Sequence, residues 1–375
     1  MNYDNAMRRQ VQSVAGMLKT VFQEVEPALH SLLTTPQIYS VKKLVITGCG
    51  DGYAAALCAK TAFERFLEIP VEVVKPLELS RYYQTKWVGE SPFDPLVIAL
   101  SNSGSAVRVV EAVQRMRVHN ALAIAITGNA DSTLARAADA TLLVRPPQFE
   151  PSPGIRGYAA QLLTLYLLAI RLGEVRLRIT MEQAGEYRRA LLHLPEAFLD
   201  DFDSVDELAL LVAQRHADAT CVEAVGCGPD YGTAWYAHEK MVEAAGLPAM
   251  HLDSEEWFHV NYFLKDVKRT LLLLFASAGN PAASRTRELL ARAREMGRET
   301  VLITDDDTLQ GDYTFRLPPA VSFLFPPMAA FLVPALVAGY LAALCGEPFC
   351  RAHAGIWRED PGMFSPAESE LLLID

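Results

Sequence analysis

The chain has 375 residues, 51% hydrophobic and 21% charged, which suits two domain-sized cores and excludes extensive disorder. A formal net charge of −11 argues against a nucleic-acid binder, which needs a basic face. It does not exclude a phosphate ligand, because helix ends and hydroxyls bind phosphate locally.

The N-terminal stretch MNYDNAMRRQVQSVAGMLKTVF lacks a long apolar core. It reads as the start of a helical segment over residues 1–40, not as a signal peptide. Val41–Tyr53 (VKKLVITGCGDGY) is a β-branched run closed by Gly-Cys-Gly, with helix-forming sequence after it. Pro95–Leu100 (PLVIAL) is a continuous apolar strand that ends in Ser101-Asn102-Ser103-Gly104-Ser105 and opens the helix AVRVVEAVQRMR. A further strand, ALAIAIT, follows, then a proline-rich connection at Arg145–Gly154 and a long helix over Tyr158–Leu172.

The same order then recurs. Thr220–Tyr231 (TCVEAVGCGPDY) carries a second Gly-Cys-Gly, 178 positions after the first. Leu271–Phe275 ends in Ala276-Ser277-Ala278-Gly279-Asn280, and ETVLIT matches ALAIAIT, at offsets of 175 and 177. Three near-equal offsets mark an internal duplication. Each repeat reads strand–helix–strand–strand–helix–strand, and continuous apolar strands alternating with helices predict parallel sheets covered on both faces. The expected fold is therefore α/β, with a first domain over 41–190, a second over 205–345, a join near Glu186–Ser204 and a tail over 346–375. Val321–Leu344 is strongly apolar but holds Pro326, Pro327 and Pro334, so it reads as a buried terminal helix, not a membrane span.

The six cysteines (Cys49, Cys58, Cys221, Cys227, Cys345, Cys350) form no CxxC pair, which leaves zinc and thioredoxin-like readings weak. Most are expected to be small buried hydrophobes in a reducing cytoplasm. Gly48-Cys49-Gly50 lacks the third glycine of a dinucleotide fingerprint, and no GxxxxGK[ST] occurs.

The stronger loop is Ser101–Ser105. A strand end, clustered hydroxyls and a helix start together make an anion site, although serines also cap helices with no ligand. The second repeat's loop has lost most of these hydroxyls, so only the first is expected to take phosphate. On the helix PDYGTAWYAHEKMVEAAG, Lys240 and Glu243 are i,i+3 and share a face. The apolar neighbours Met241, Val242, Ala244 and Ala245 suggest partial burial for Glu243, against the plainer reading of a solvated charged stripe. Asp253 with Glu256 three positions on resembles a capping box. His259 lies one turn further and, by itself, reads as a structural histidine.

With these residues in place the chain resembles the double-SIS (sugar isomerase) proteins, which include the isomerase half of glucosamine-6-phosphate synthase and the fructosamine and fructoselysine-6-phosphate deglycases. The resemblance runs from about Val41 to Cys350 and implies two tandem SIS domains, each a three-layer α/β/α unit of flavodoxin-like type. In that family a Ser-Gln-Ser-Gly-Glu-Thr loop holds the sugar phosphate, and Ser101–Ala106 stands in its place. The family's catalytic glutamate follows the second glycine loop by 15 residues, as Glu243 follows Gly228. A lysine precedes that glutamate by three, as Lys240 does. A histidine follows it by 16, as His259 does, with Glu256 matching the motif's glutamate.

The resemblance implies Glu243, His259 and Lys240 as catalytic residues. It implies Gly50, Ser101, Asn102, Ser103, Ser105 and Glu256 as substrate- and phosphate-binding residues. It further implies a homodimer with shared active sites, a cytoplasmic setting, and no cofactor, metal, nucleic acid or membrane partner. Two departures stand out: Ala106 replaces a phosphate-binding threonine, and Gly52 replaces a serine that contacts the sugar. The chain also has no lysine after Lys268 to match an active-site lysine in the synthase tail, and no glutaminase domain, so amide transfer from glutamine is not expected.

The expected chemistry is proton transfer between C1 and C2 of an open-chain 6-phosphosugar or amino-sugar phosphate. Glu243 would be the base, His259 would open the ring, and Lys240 would hold the carboxylate ionised or stabilise developing negative charge. Isomerase, deaminase and deglycase all fit. The alternative from another class is a non-catalytic phosphosugar-binding regulatory protein. Regulatory SIS proteins, however, usually join one SIS unit to a DNA- or partner-binding module, which this chain lacks.

Overall fold

In this computed structural model the described residues are 3–89, 94–348 and 369–374. Most of the 346–375 tail, Cys350 included, lies outside them. The chain divides into two compact units. One comprises Met17–Pro147, Gly157–Arg188 and Asp360–Asp375; the other comprises Met1–Gly16, Gln148–Arg156 and Arg189–Glu359. The 186–204 stretch is helical, covered by the helices Met181–Leu199 and Phe202–Arg215.

Each unit holds one five-stranded parallel sheet. In the first, β1 (Leu44–Gly48), β2 (Val71–Val73), β3 (Leu96–Leu100), β4 (Leu122–Thr127) and β5 (Ala140–Leu143) lie in the order β2-β1-β3-β4-β5. In the second, β6 (Cys221–Val225), β7 (Ala249–Leu252), β8 (Thr270–Ala276), β9 (Thr300–Thr304) and β10 (Tyr313–Arg316) lie in the order β7-β6-β8-β9-β10. Renumbered within each sheet, both are 2-1-3-4-5, the flavodoxin-like order, with the strand-order switch beside the first strand. The edge strands β5 and β10 escape a reading by apolar runs because they are four residues long and only partly buried.

Central strands β3 and β8 are buried at every position, as strands covered on both faces must be. In the first unit, Val97, Ala99, Val109, Val113 and Met116 pack together. In the second, Leu272, Leu274, Leu289, Trp257 and Leu302 do so. The apolar Val321–Leu344 stretch forms the helices Pro327–Ala330 and Leu332–Cys345, the longer one buried from Leu332 to Ala342. Arg156–Val175 and Pro327–Cys345 are both long and apolar enough to cross a membrane, but 83% of each such window is buried inside the protein. The cysteine expectation is corrected: of the five described, only Cys58 is buried, while Cys49 and Cys345 are exposed.

One buried carboxylate organises the first unit. Glu111 is fully buried and pairs with Arg81 at 2.6 Å and Arg108 at 2.5 Å, and it accepts the Leu372 N–H at 2.6 Å. Burial alone would raise its pKa, but hydrogen bonds from Arg81, the Leu372 amide and Ser80, with the charge of Arg108, hold it down to about 2. A carboxylate depressed from its ordinary 4.5 contributes stability that is complete above that value and is lost as pH falls toward about 2. Glu111→Gln is therefore expected to melt lower than wild type at neutral pH, with the gap closing between about pH 4.5 and 2. Thermal unfolding across that range checks this; a gap independent of pH would remove Glu111 from the acid limb.

Candidate active site

Both Gly-Cys-Gly turns adopt one geometry. Gly50 (φ 52°, ψ −128°) and Gly228 (φ 59°, ψ −126°) are the N-caps of the helices Asp51–Leu67 and Pro229–Lys240. That region is open only to glycine. Gly226 is fixed by close approach, since a Cβ there would lie 2.4 Å from the Asp230 carbonyl oxygen.

In the first unit, Ser101–Ser105 sits at the carboxyl end of the central strand β3, which flanks the strand-order switch between β1 and β3. Ser101 Oγ accepts the Gly104 N–H at 3.1 Å, and Ser103 Oγ lies 2.8 Å from Ser105 Oγ. Gly104 has φ 67°, and a Cβ there would meet Ser132 Oγ at 2.2 Å. Asn102 and Ser103 are exposed. Among the described residues no acceptor takes the N–H of Asn102 or Ser103. Ala106, the N-cap of the helix Val107–Val118, makes no side-chain cap. The loop thus leaves two backbone amides without an acceptor among the described residues, beside the adjacent Ser103 and Ser105 hydroxyls, donors of the kind an anion takes.

Gly52 is buried, and a Cβ there would already be 3.2 Å from Leu100 Cβ and 3.3 Å from Gln161 Oε1. A serine would crowd this position, which accounts locally for its absence. Gln161 Oε1 is itself buried with no hydrogen-bond partner among the described residues.

In the second unit the helix widens to a π turn over Met241–Ala245, closed by Gly246 at φ 65°. Such turns recur at functional sites because they rotate side chains off the α-helical stripe. Across the start of this turn a buried and an exposed group pair: Lys240 is 0% exposed and Glu243 46% exposed, and Lys240 Nζ and Glu243 Oε2 are 2.5 Å apart. Glu243 is partly covered, with 46% of its side chain exposed, while the apolar neighbours Met241, Ala244 and Ala245 turn inward and Val242 outward. Lys240 Nζ also lies 5.0 Å from the Tyr236 ring centroid. A buried ammonium over a π face holds the accessible carboxylate in place by a charge-assisted hydrogen bond.

Asp253 caps the helix Ser254–His259 by accepting from the Glu255 and Glu256 amides. The Glu256 carboxylate makes no return bond among the described residues and is exposed, so the full capping box does not form. His259 is 66% exposed and pairs with Glu255 at 2.9 Å. It is a surface imidazole, not a core histidine. His259 follows Glu256 by less than one turn and precedes Asn261, whose amide donates to buried Glu223 at 2.6 Å.

Several polar groups of the second unit were not legible beforehand. His238 is half-buried, and burial lowers its pKa while the charge of Glu243 opposes the shift. His251 stacks on Trp235 at 3.8 Å and meets Tyr231 Oη at 3.1 Å. Asp230, 2% exposed, accepts the Ser277 N–H at 2.9 Å, Ser277 Oγ at 2.6 Å and Asn280 Nδ2 at 3.0 Å. Burial raises Asp230 to about 6, against the hydrogen bonds from Ser277 and Asn280, which favour the anion. Asp305 accepts the Ala278 N–H at 2.6 Å. The signal was present in the repeat offsets, where Asp230 falls 178 after Gly52 and Asp305 falls 177 after Gly128. Among the described residues no cluster of His, Cys, Asp and Glu is placed to hold a metal.

The doubly wound sheets, the glycine turns and the serine loop define a class, and the comparisons agree with it. Residues 37–171 match the SIS domain. The chain belongs to the SIS-domain sugar isomerase family. It is 30% identical over 294 residues to glutamine–fructose-6-phosphate aminotransferase (isomerizing) of Mycolicibacterium smegmatis, a match that covers 76% of this chain and 46% of that protein. The chain therefore spans about half the length of such relatives. In fold it is similar to the C-terminal domain of glucosamine-fructose-6-phosphate aminotransferase from Francisella tularensis (TM-score 0.80, 16% identity, covering 93% of this chain and 98% of that one). It is likewise similar to tagatose-6-phosphate ketose/aldose isomerase from Escherichia coli (TM-score 0.75, 16% identity, covering 92% and 95%).

Proposed function

We propose that both repeats are SIS units, and that the chain is an enzyme moving a proton between C1 and C2 of a 6-phosphosugar or amino-sugar phosphate. The observation that carries this reading is the Lys240–Glu243 pair, a buried ammonium 2.5 Å from an accessible carboxylate on a π turn. A sensor needs a binding loop but has no use for an exposed carboxylate held by a buried charge. In this reading Glu243 is the base, Lys240 positions it and stabilises negative charge developing on the substrate oxygen, and His259 assists ring opening. The Ser101–Ser105 loop, with Gly50 shaping the adjacent turn, anchors the phosphate away from the reacting carbons, and Glu256 contributes to the sugar site. The relatives support the substrate class, since the aminotransferase and the ketose/aldose isomerase above are each named for a hexose 6-phosphate.

The deciding experiment is solvent proton exchange at C1 of fructose 6-phosphate and tagatose 6-phosphate and at C2 of glucosamine 6-phosphate, followed by NMR in heavy water. Exchange on one of them is expected; binding without exchange on any would make the chain a sensor.

Two variants extend the test. Ser103→Ala should weaken a phosphosugar by about tenfold, the worth of one good hydrogen bond to a charged group, and leave the unphosphorylated sugar unchanged. Equal losses for both sugars in calorimetry would remove phosphate from the loop. The exposed His259 also fits a homodimer whose sites are shared. Glu243→Gln and His259→Ala homodimers should then each be inactive, and subunit exchange between them should restore roughly half-site activity. No recovery after verified exchange would place both residues in one protomer's site.

A further inference from the structure

The two repeats treat equivalent loops in opposite ways. At an offset of 175, Asn102 and Ser103 correspond to Ser277 and Ala278. The first pair of N–H groups has no acceptor among the described residues. The second pair is taken up, Ser277 by Asp230 at 2.9 Å and Ala278 by Asp305 at 2.6 Å. Both acids stand where the first repeat has glycine, Gly52 and Gly128. Gly128 lies against the first loop, since a Cβ there would be 3.2 Å from the Asn102 carbonyl oxygen.

Charge makes the point sharper. Asp230 is 2% exposed, and among the described residues neither Asp230 nor Asp305 pairs with a lysine or arginine. Its partners are a backbone amide, a serine hydroxyl and the Asn280 amide, all neutral. A carboxylate buried without a counter-cation is tolerated only where several donors already converge on it.

We infer that the second loop is an oxyanion site kept closed by the chain's own carboxylates, Asp230 and Asp305, and that it takes up phosphate or sulfate once those carboxylates are removed. The duplicated loop has thus been kept in two forms, one open to solvent and one filled from within. The filled form ties the helix Pro229–Lys240, which carries Lys240, to the ends of β8 and β9. If the first loop binds phosphate as proposed above, each chain holds one sugar phosphate and not two; the state of the second loop is tested separately from that reading.

The test uses the full chain with Asp230→Gly and the pair Asp230→Gly, Asp305→Gly, which restore the glycines of the first repeat. Thermal unfolding is followed at about pH 8, where Asp230 is ionised in wild type, in inorganic phosphate and in potassium chloride of equal ionic strength. In chloride the variants are expected to melt about 5–10 °C below wild type. Phosphate should recover roughly half of that loss, beyond any rise it gives wild type. Calorimetry should then count one more phosphate per chain than in wild type. A folded variant that responds to phosphate no more than wild type overturns the inference. Should both variants fail to fold in either buffer, Asp305→Gly alone carries the test, with the same phosphate-specific gain expected and its absence decisive. A wild type that binds no phosphate, beside variants that gain one site, would remove the proposed role of the first loop and leave this inference standing.

Discussion

Glu243→Gln is expected to fold, to bind the sugar phosphate and to lose proton exchange at C1 or C2 by about 10² to 10⁴. Glutamine keeps the length and the hydrogen-bonding oxygen, so Lys240 retains an acceptor. The carboxylate is 46% exposed, so its replacement leaves no cavity. What disappears is the only function glutamine cannot supply, acceptance of a proton. The measurement is exchange by wild type and variant on the substrate found by screening, with binding followed in parallel. A variant that exchanges as fast as wild type would make Glu243 a surface charge. Lys240→Met separates the partner's role: it keeps the buried volume and should slow exchange without weakening phosphosugar binding, because the carboxylate loses the charged donor that positions it.

Arg298→Met is expected to be the most destabilising single change, at about 3–5 kcal/mol. Arg298 and Glu223 form an ion pair in which both side chains are fully buried. Arg298 also lies 5.2 Å from the Trp257 ring centroid, and burial lowers its pKa to about 10. Removing the guanidinium strands the Glu223 carboxylate on β6 with Asn261 as its remaining partner. Desolvation makes a lone buried charge far costlier than the pair is favourable. The double variant Arg298→Met, Glu223→Met should recover much of the loss, since well-packed apolar groups can replace a buried pair. Chemical denaturation of the three variants measures this. A loss under about 1 kcal/mol for Arg298→Met would place the pair in contact with water. Because Asn261 joins this network two residues after His259, the single variant should also depress activity in protein that remains folded.

Much of the architecture was already written in local pattern. Short continuous apolar runs such as Leu96–Leu100 and Leu271–Phe275, bounded by Ser/Gly turns, read as strands covered on both faces, and glycine at 50 and 228 is dictated by a backbone region closed to other residues. The repeat offsets placed the serine loop at a strand end and a helix start, which is where it lies. The short strands β5 and β10 left no such signal, because four half-buried residues carry too little periodicity.

The sequence by itself determined the duplication, the parallel sheets and the identity of the residues that carry charge and hydroxyls. Only the tertiary structure decided which of them face solvent. The apolar neighbours of Glu243 in sequence leave its exposure open, and in the folded chain Met241, Ala244 and Ala245 face inward, Lys240 is buried and the carboxylate is 46% exposed. Likewise, nothing within the Ala276–Asn280 loop shows that it is filled. Its occupant, Asp230, is 47 positions away along the chain and reaches it only because β6 and β8 are neighbours in the sheet. Local sequence fixes backbone conformation through sterics, whereas burial and charge pairing depend on what folding brings alongside.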